Sequence, residues 1–296
     1  MDFRRVPALL LLLCLMSLTL SSCLAVRRTI VRPGGAAVTQ KLLVANKAVL
    51  IDAIARYYNS IHDFSATVDM VPALGTAEKS KITEYKDIRG FILFRKPASI
   101  RIIGLYPVVR NKAFDMVSGG TTFKLYTPSR NLFITGTNEI EQPSPNKIEN
   151  LRPQHFVDAI LVRPVDDGEK VLMENYTDEE NAFYILHIIH EAGPGDLQLE
   201  RTVWFSRIDL QISRQLIFDA AGNILTDARF TQWHAYDNVA FPKHVEINRP
   251  RDEYAVVIDV VKMDINKGVT DDKFVLDQPP GTTLKMIGSP AKGPTQ

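Results

Sequence analysis

Two histidines in the stretch HIIHE, His187 and His190, come nearest to a metal site by residue type and spacing. Neutral imidazoles are common zinc ligands, so a close pair of them would suit metal-assisted hydrolysis. The surrounding residues, NAFYILHIIH, predict a strand, in which side chains three positions apart point to opposite faces. His187 and His190 could not then hold one ion. We therefore predict no metal site and no cofactor.

The other residue types that could carry out catalysis are scattered along the chain. The further histidines stand alone, among them His155, His234 and His244. Pairs of carboxylates fall in polar stretches predicted to be loops, namely Asp166-Asp167, Glu179-Glu180 and Asp271-Asp272. The sequence contains no Gly-x-Ser-x-Gly elbow, no Walker loop and no Gly-x-Gly-x-x-Gly fingerprint. No nucleophile has a base beside it, and we predict that the protein is not an enzyme.

The thiol of Cys23 stands at the end of an amino-terminal leader. The first residues, MDFRR, are basic, and the run from Val6 to Leu20 is almost wholly apolar. A basic start, an apolar segment and small residues before a cleavage point are typical of a secretory signal peptide. An apolar helix of about 15 residues covers roughly 22 Å, less than a hydrocarbon core of about 30 Å. A cleaved leader is therefore favoured over a permanent span.

The residues Leu20-Ser21-Ser22-Cys23 resemble the bacterial lipobox, whose cysteine receives a diacylglyceryl group. This resemblance implies lipidation of Cys23 and, because Leu24 rather than an aspartate follows, an address at the outer membrane. The alternative is an ordinary secretory protein with a free cysteine. The other cysteine, Cys14, lies inside the leader. The mature chain then has no pair for a disulfide, and its stability must come from its core.

Hydrophobic periodicity predicts one folded domain behind this leader. Helical spacing of apolar residues predicts an amphipathic helix of about 20 residues, capped by Thr39 and ending near Asn59. A second helical stretch runs from Leu151 to Val162. Elsewhere the period is two, which predicts about eleven to thirteen strands joined by short turns. We predict an α+β fold with one large, curved antiparallel sheet covered by helices.

The chain is expected to divide into four parts. These are a signal peptide over 1–22, a lipidated cysteine and flexible tether over 23–38, a domain over 39–287 and a flexible tail over 288–296. A formal net charge of +1 leaves no excess of basic residues, so we predict no nucleic-acid binding.

The order of these pieces resembles the LolA/LolB-type proteins of bacterial lipoprotein localisation, in a lipidated form. The resemblance rests on a helix ending YYNSIHDFSATVDM, then RGFILFRKPASIRIIGLYPVVRNKAFDMVSGGTTFKLYTPSRNLFITG. It implies an unclosed β-barrel of about eleven antiparallel strands with an apolar cavity for acyl chains. It also implies a protruding loop at Leu105-Tyr106-Pro107. The segment from about Thr137 to Asp167 extends beyond the family pattern.

The bend at Leu105, Tyr106, Pro107, Val108 and Val109 is unusually apolar for a turn. We expect it either to contact membrane or cargo or to fold back onto the sheet. The candidates for lining a cavity are apolar residues of the helix and the predicted strands. They are Ile54, Tyr57, Ile92, Phe94, Ile102, Phe123, Ile185 and Phe205.

From the absence of catalytic motifs and the resemblance to the LolA/LolB-type proteins, we expect the function to be binding rather than catalysis. The protein would accept acyl chains of lipoproteins or other lipids and help to deliver them to the membrane. Its partners would be that cargo, the outer membrane through the lipid anchor, and a periplasmic carrier protein, with the domain facing the periplasm. The alternative is a non-catalytic envelope scaffold of the same fold, with the cavity filled by its own side chains.

Overall fold

The computed structural model describes residues 41–76, 81–84, 86–140, 144–178 and 180–288. One compact unit comprises Lys41–Thr177 and Ala182–Gln296. Its described part ends at Gly288. The elements given below belong to this unit. Residues 178–181 are not part of this unit. There the Asp178 carboxylate accepts hydrogen bonds from the backbone N–H groups of Glu180 and Asn181, which closes a tight turn. The predicted signal peptide, Cys23, the tether and nearly all of the tail lie outside the described residues.

Two α-helices occur in the described part of the chain. Helix α1 spans Lys47–Ser60 and helix α2 spans Pro153–Ile160. The first helix begins later than predicted because Asn46 caps it, its side chain accepting a 3.0 Å hydrogen bond from the backbone N–H of Val49. The buried face of α1 consists of Leu50, Ile54 and Tyr57. Neither helix is long or apolar enough to cross a bilayer.

Fifteen strands occur in the same described ranges. Their bounds are β1 Asp63–Thr76, β2 Lys81–Glu84, β3 Ile88–Arg95, β4 Ser99–Leu105, β5 Lys112–Ser118, β6 Thr122–Thr127, β7 Leu132–Thr137, β8 Lys170–Thr177, β9 Ala182–Gly193, β10 Asp196–Ser206, β11 Ile212–Phe218, β12 Ile224–Tyr236, β13 Val239–Arg249, β14 Tyr254–Ile265 and β15 Thr283–Ile287. The predicted α+β class with one large sheet is confirmed, but the strand count is higher than the expected eleven or so.

The strands form a single sheet in the order β15-β7-β6-β5-β4-β3-β1-β14-β13-β12-β11-β10-β9-β8, with β2 paired to β1. In this order β15 and β8 stand at opposite ends, so the sheet is unclosed, as predicted. Strand β1 pairs with β3 on one side and with β14 on the other. All pairs are antiparallel except β15 with β7, which are parallel. The prediction of a purely antiparallel sheet is therefore wrong at this one edge.

The parallel pair exists because the chain returns across the sheet after β14. The guanidinium of Arg101 donates to the carbonyl oxygens of Lys273 and Val275, and Lys124 donates to that of Leu276. These bonds hold the returning segment against β4 and β6. At Gly136 in β7, an added Cβ would stand 1.9 Å from the carbonyl oxygen of Ile287. Only glycine permits so close an approach of β15.

The core lies on the face of the sheet that the helices cover. Along β3 the side chains of Ile92 and Phe94 are buried on this face while Phe91 is exposed. A second, small cluster of Val117, Phe133 and Leu276 lies apart from the main core. It forms beneath the returning segment, which explains why neighbouring apolar residues on both faces are buried in β5 and in β7.

Candidate functional site

An apolar pocket of about 320 Å³ opens beside helix α2. Its walls come from α2 and from strands β1, β4, β5, β6 and β14. The lining side chains include Met70, Ile102, Phe114, Met116, Phe156 and Val256. Sites for small organic ligands usually enclose roughly 300–1,000 Å³ and are lined mostly by apolar groups. This pocket is therefore suited to an apolar ligand or to part of a long one.

The loop between β4 and β5 stands at the edge of this pocket. Tyr106 lines the pocket and is 38% exposed. The following apolar side chains point to solvent, with Val108 91% and Val109 65% exposed. The loop is closed by two backbone hydrogen bonds, from Tyr106 N–H to the Asn111 oxygen and from Arg110 N–H to the Tyr106 oxygen. Two valines are thus held in water next to an apolar pocket.

The eight residues named as cavity candidates lie in four different places. Ile102 lines the apolar pocket, while Tyr57 and Phe205 line a pocket of similar size, about 330 Å³, beside α1. Four others belong to the packed main core, namely Ile54, Ile92, Phe94 and Phe123. Ile185 is buried in β9 outside that core cluster. The apolar pocket has no α1 residue in its lining and lies beside α2.

A second and larger pocket of about 730 Å³ has many polar and charged side chains among apolar ones in its walls. It is bounded by α2, by β10, β11 and β13, and by residues near the end of β7. The lining residues include Asn138, Asp158, Arg201, Gln215, Arg249 and Asp252. We refer to it as the polar pocket.

A buried network separates the polar pocket from the apolar one. The Arg249 guanidinium donates to the Asp252 carboxylate at 2.7 Å, to the Thr226 hydroxyl at 2.7 Å and to Nε2 of His155 at 3.2 Å. Nδ1 of His155 lies 2.9 Å from the Tyr254 hydroxyl. His155 lines the polar pocket and Tyr254 lines the apolar one. The two pockets therefore share a wall of buried hydrogen bonds.

The charge state of this wall follows from its burial. Burial first, and the nearby Arg249 and Arg152 second, hold the pKa of His155 well below its ordinary value. The ring is therefore neutral at pH 7. Because a guanidinium can only donate, Nε2 accepts from Arg249 and Nδ1 carries the proton.

Arg152 fixes the start of α2 against the end of β7. Its Nε donates a 2.8 Å hydrogen bond to the Thr137 carbonyl oxygen, and its guanidinium lies 4.3 Å from the centre of the Phe123 ring. Burial lowers the pKa of Arg152 to about 10, so it remains charged at pH 7. Helix α2 is in this way held by hydrogen bonds at its amino end as well as by its apolar face.

Sequence reasoning missed the residues that line both pockets from α2. They belong to the segment from about Thr137 to Asp167, which was set aside as an extension of the family pattern. Phe156 lines the apolar pocket, while His155 and Asp158 line the polar one. The periodicity of Leu151–Val162 indicated a helix with Phe156 on its apolar side. It carried no information on which strands that side would meet.

The two histidines of β9 have separate carboxylate partners. Nε2 of His187 lies 2.9 Å from Glu174, and Nδ1 of His190 lies 3.7 Å from Glu200. Among the described residues, no group of three or more histidine, cysteine, aspartate or glutamate side chains is placed to hold a metal ion.

Comparison with known proteins identifies the fold. No protein-family model matches the sequence, and the search of curated proteins finds no match. Among solved structures, a DUF1329 family protein from Desulfovibrio piger shares the fold with 14% identity and a TM-score of 0.51, over 77% of this chain and 96% of that one.

Two further structures bear the names that the sequence resemblance predicts. A LolA superfamily protein from Nitrosomonas europaea matches with 10% identity and a TM-score of 0.49, over 79% of this chain and 99% of that one. An outer membrane lipoprotein-sorting protein domain from Vibrio parahaemolyticus matches with 12% identity and a TM-score of 0.47, over 76% of this chain and 94% of that one.

Proposed function

We propose that this protein binds acyl chains of lipoproteins or other lipids in the apolar pocket beside α2 and helps to deliver them to the bacterial outer membrane. The observation that carries the proposal is the placing of an apolar pocket directly beside an exposed apolar loop. The proposal includes an anchor at Cys23 and a domain that faces the periplasm. The fold shared with proteins of lipoprotein sorting adds support.

The size of the pocket limits how firmly it can hold an acyl chain. Burial contributes about 0.8 kcal/mol per methylene group, so complete enclosure of several chains would prevent release. A pocket of about 320 Å³ is near the lower end of the range for ligand sites. It encloses part of one chain and leaves the remainder to be covered by a bilayer. Cargo can then pass to the membrane without a large barrier.

The loop provides the route for that transfer. Val108 and Val109 are exposed to water, and apolar side chains in such a position gain free energy by entering a bilayer interface. Arg110 and Arg130 are also exposed near the pocket, where they can attract anionic lipid head groups. Insertion of the two valines would bring the pocket mouth to the level of the acyl chains.

The direct experiment is photocrosslinking in bacteria that express the full chain. Cells are fed a palmitate analogue that carries a diazirine and an alkyne, and crosslinked peptides are mapped by mass spectrometry. We expect label at Cys23 from the anchor and, after irradiation, label at residues that line the apolar pocket. Label at Cys23 alone would favour the scaffold alternative. Absence of label at Cys23 would refute the anchor.

A pocket-filling variant makes the assignment specific. Ala113 lines the apolar pocket, so Ala113→Phe places a ring where the acyl chain would lie. We expect the crosslinks in the pocket to disappear while the label at Cys23 remains. The matched control is Ala240→Phe, which adds the same ring in the pocket beside α1 and leaves the crosslinks unchanged.

A further inference from the structure

Buried polar atoms without partners are concentrated in the polar pocket. Among the described residues, five buried side-chain nitrogen or oxygen atoms lack a hydrogen-bond partner, and four of them belong to residues that line this pocket. The four are Asn138 Oδ1, Gln154 Oε1, Arg201 Nε and Gln215 Oε1. A buried polar group left unpaired costs about 1–3 kcal/mol, and such groups are rare. Their concentration in one pocket points to a bound group that completes them.

The orientations of the three amides are determined by their other hydrogen bonds. Nδ2 of Asn138 donates to the carbonyl oxygen of Gly120 at 2.6 Å, and Nε2 of Gln215 donates to that of Asp158 at 2.9 Å. Nε2 of Gln154 donates to the Asp158 carboxylate at 3.2 Å. Carbonyl and carboxylate oxygens accept hydrogen bonds, so each amide nitrogen must face them. The amide atoms left unpaired are therefore three acceptors, which need donors from a ligand, while the fourth unpaired atom, Arg201 Nε, is a donor.

The charges in the polar pocket disfavour an anion. Every arginine that lines it already has a carboxylate partner; the pairs are Arg163 with Asp166, Arg201 with Glu169, Arg249 with Asp252, and Arg251 with Asp219. By contrast, Asp158 and Glu139 line the pocket and form no ion pair with the described residues. The side chains of Asp158 and Glu139 are exposed, and although the Asp158 carboxylate accepts a hydrogen bond from Gln154, both acids are open to a positively charged group.

Apolar surface occupies part of the same pocket. Val157 and Leu161 contribute from α2 and its end, and Ile217 contributes from β11. A volume of about 730 Å³ is within the range for drug-sized ligands. The pocket therefore offers acceptors, carboxylates and apolar patches together. A sugar presents hydroxyl donors at its edge and C–H groups on its faces, and an amino sugar adds an ammonium group.

We propose that the polar pocket is a binding site for an amino sugar, whose hydroxyl groups donate to the amide oxygens of Gln215 and Asn138 and whose ammonium group faces Asp158. This site is distinct from the apolar pocket because the His155–Tyr254 wall separates the two. The proposal for the polar pocket does not depend on acyl binding in the apolar pocket. The two sites can therefore be tested separately.

The test uses the mature full chain in detergent micelles and three soluble disaccharides as probes. They are the β-1,4-linked dimer of glucosamine, the same dimer with both amines acetylated, and the dimer of galacturonic acid. Binding is measured by saturation-transfer NMR and titration calorimetry. We expect the glucosamine dimer to bind most tightly, the acetylated dimer more weakly, and the acidic dimer not at all. Tightest binding of the acidic dimer, or no binding of any probe, would overturn the proposal.

Two variants assign the binding to the polar pocket. Gln215→Met removes an acceptor at nearly constant volume, and we expect it to weaken binding of the glucosamine dimer about tenfold, the value of one hydrogen bond. Asp158→Asn should abolish the preference for the free amine over the acetylated form. Gln211→Met, in the pocket beside α1, is the matched control. It should change neither the affinity for the glucosamine dimer nor the preference for the free amine. Equal effects of Gln211→Met and Gln215→Met would contradict the site.

Discussion

The Tyr254 hydroxyl lies 2.9 Å from Nδ1 of His155 and joins β14 to α2 in the wall between the two pockets. Both side chains are more than nine-tenths buried. Because Nε2 of His155 accepts from Arg249, Nδ1–H donates to the Tyr254 oxygen. This bond fixes the position of a helix that lines both pockets.

Removal of the Tyr254 hydroxyl should destabilise the fold. In Tyr254→Phe the Nδ1–H group of His155 loses its partner, and we expect the free energy of unfolding to fall by about 1–3 kcal/mol. Urea denaturation followed by circular dichroism measures the change. Tyr126→Phe is the control, since the Tyr126 hydroxyl has no hydrogen bond among the described residues, and its effect should stay within about 0.5 kcal/mol. Equal losses in the two variants would show that the bond contributes nothing.

Two histidines should titrate on opposite sides of their ordinary pKa of 6.5. Burial works to lower the pKa of His244, but hydrogen bonds to Asp259, at 2.7 Å, and Glu246 outweigh it and raise the pKa. Burial and two arginines lower the pKa of His155. In an NMR titration we expect His244 to lose its proton above pH 6.5 and His155 to stay neutral far below it.

The sign of the His244 contribution to stability follows from this shift. A raised pKa in the folded state means that the contribution is present below pH 6.5 and is lost as the pH rises through the folded value. Asp259→Asn should lower the pKa of His244 and remove most of this pH dependence. A pKa of His244 unchanged in that variant would contradict the assigned cause.

Lowering the pH should reduce the free energy of unfolding because Glu169 becomes protonated. Burial favours the neutral acid, but hydrogen bonds from Arg201 and from the backbone N–H of Asp166 outweigh it and lower the pKa of Glu169 from 4.5 to about 2. A lowered pKa contributes stability above pH 4.5 that is lost as the pH falls towards 2.

Glu169→Gln tests this directly. At pH 7 the variant leaves Arg201 buried without its carboxylate, and we expect a loss of about 3–5 kcal/mol in the free energy of unfolding. The difference in the free energy of unfolding between this variant and the wild type should become smaller as the pH falls from 4.5 towards 2. The exposed Glu84, replaced by Gln, serves as the control. A difference that stays constant over this pH range would rule out a contribution of ionised Glu169 to stability.

The exposed loop should enter a bilayer. In Val108→Cys, labelled with the environment-sensitive dye NBD and reconstituted into phosphatidylcholine and phosphatidylglycerol vesicles, we expect dye emission to rise and shift to shorter wavelength. Val261 is 50% exposed on β14 and gives the control position for the same label. Similar spectra at positions 108 and 261 would indicate that the loop stays in water.

Local features of the fold were predictable because they depend on near neighbours. In the sequence, the alternation of Ile92 and Phe94 with Phe91 predicts a strand, and the run Asp219-Ala-Ala-Gly222-Asn223 predicts a hairpin turn. In the structure the Asp219 N–H donates to the Asn223 carbonyl oxygen at 2.9 Å, and Gly222 has a φ of 79°. Both features confirm the predicted hairpin.

The pockets were not predictable in the same way. Ile92 and Ile102 have the same side chain in neighbouring strands and are both buried, yet only Ile102 lines the apolar pocket. The difference comes from α2, which is distant in sequence. The parallel edge strand β15 was missed for a similar reason, because it depends on where a returning segment crosses the sheet.

The central position of β1 has a consequence for how the molecule folds. The first long strand lies between β3 and β14, and Phe64 is paired with Ile265. Pairing of residues so far apart in sequence is slow, because a long loop must close before any favourable contact forms. During synthesis one edge of β1 therefore stays unpaired, and the growing chain presents this open edge to chaperones or to neighbouring chains until β14 has been made.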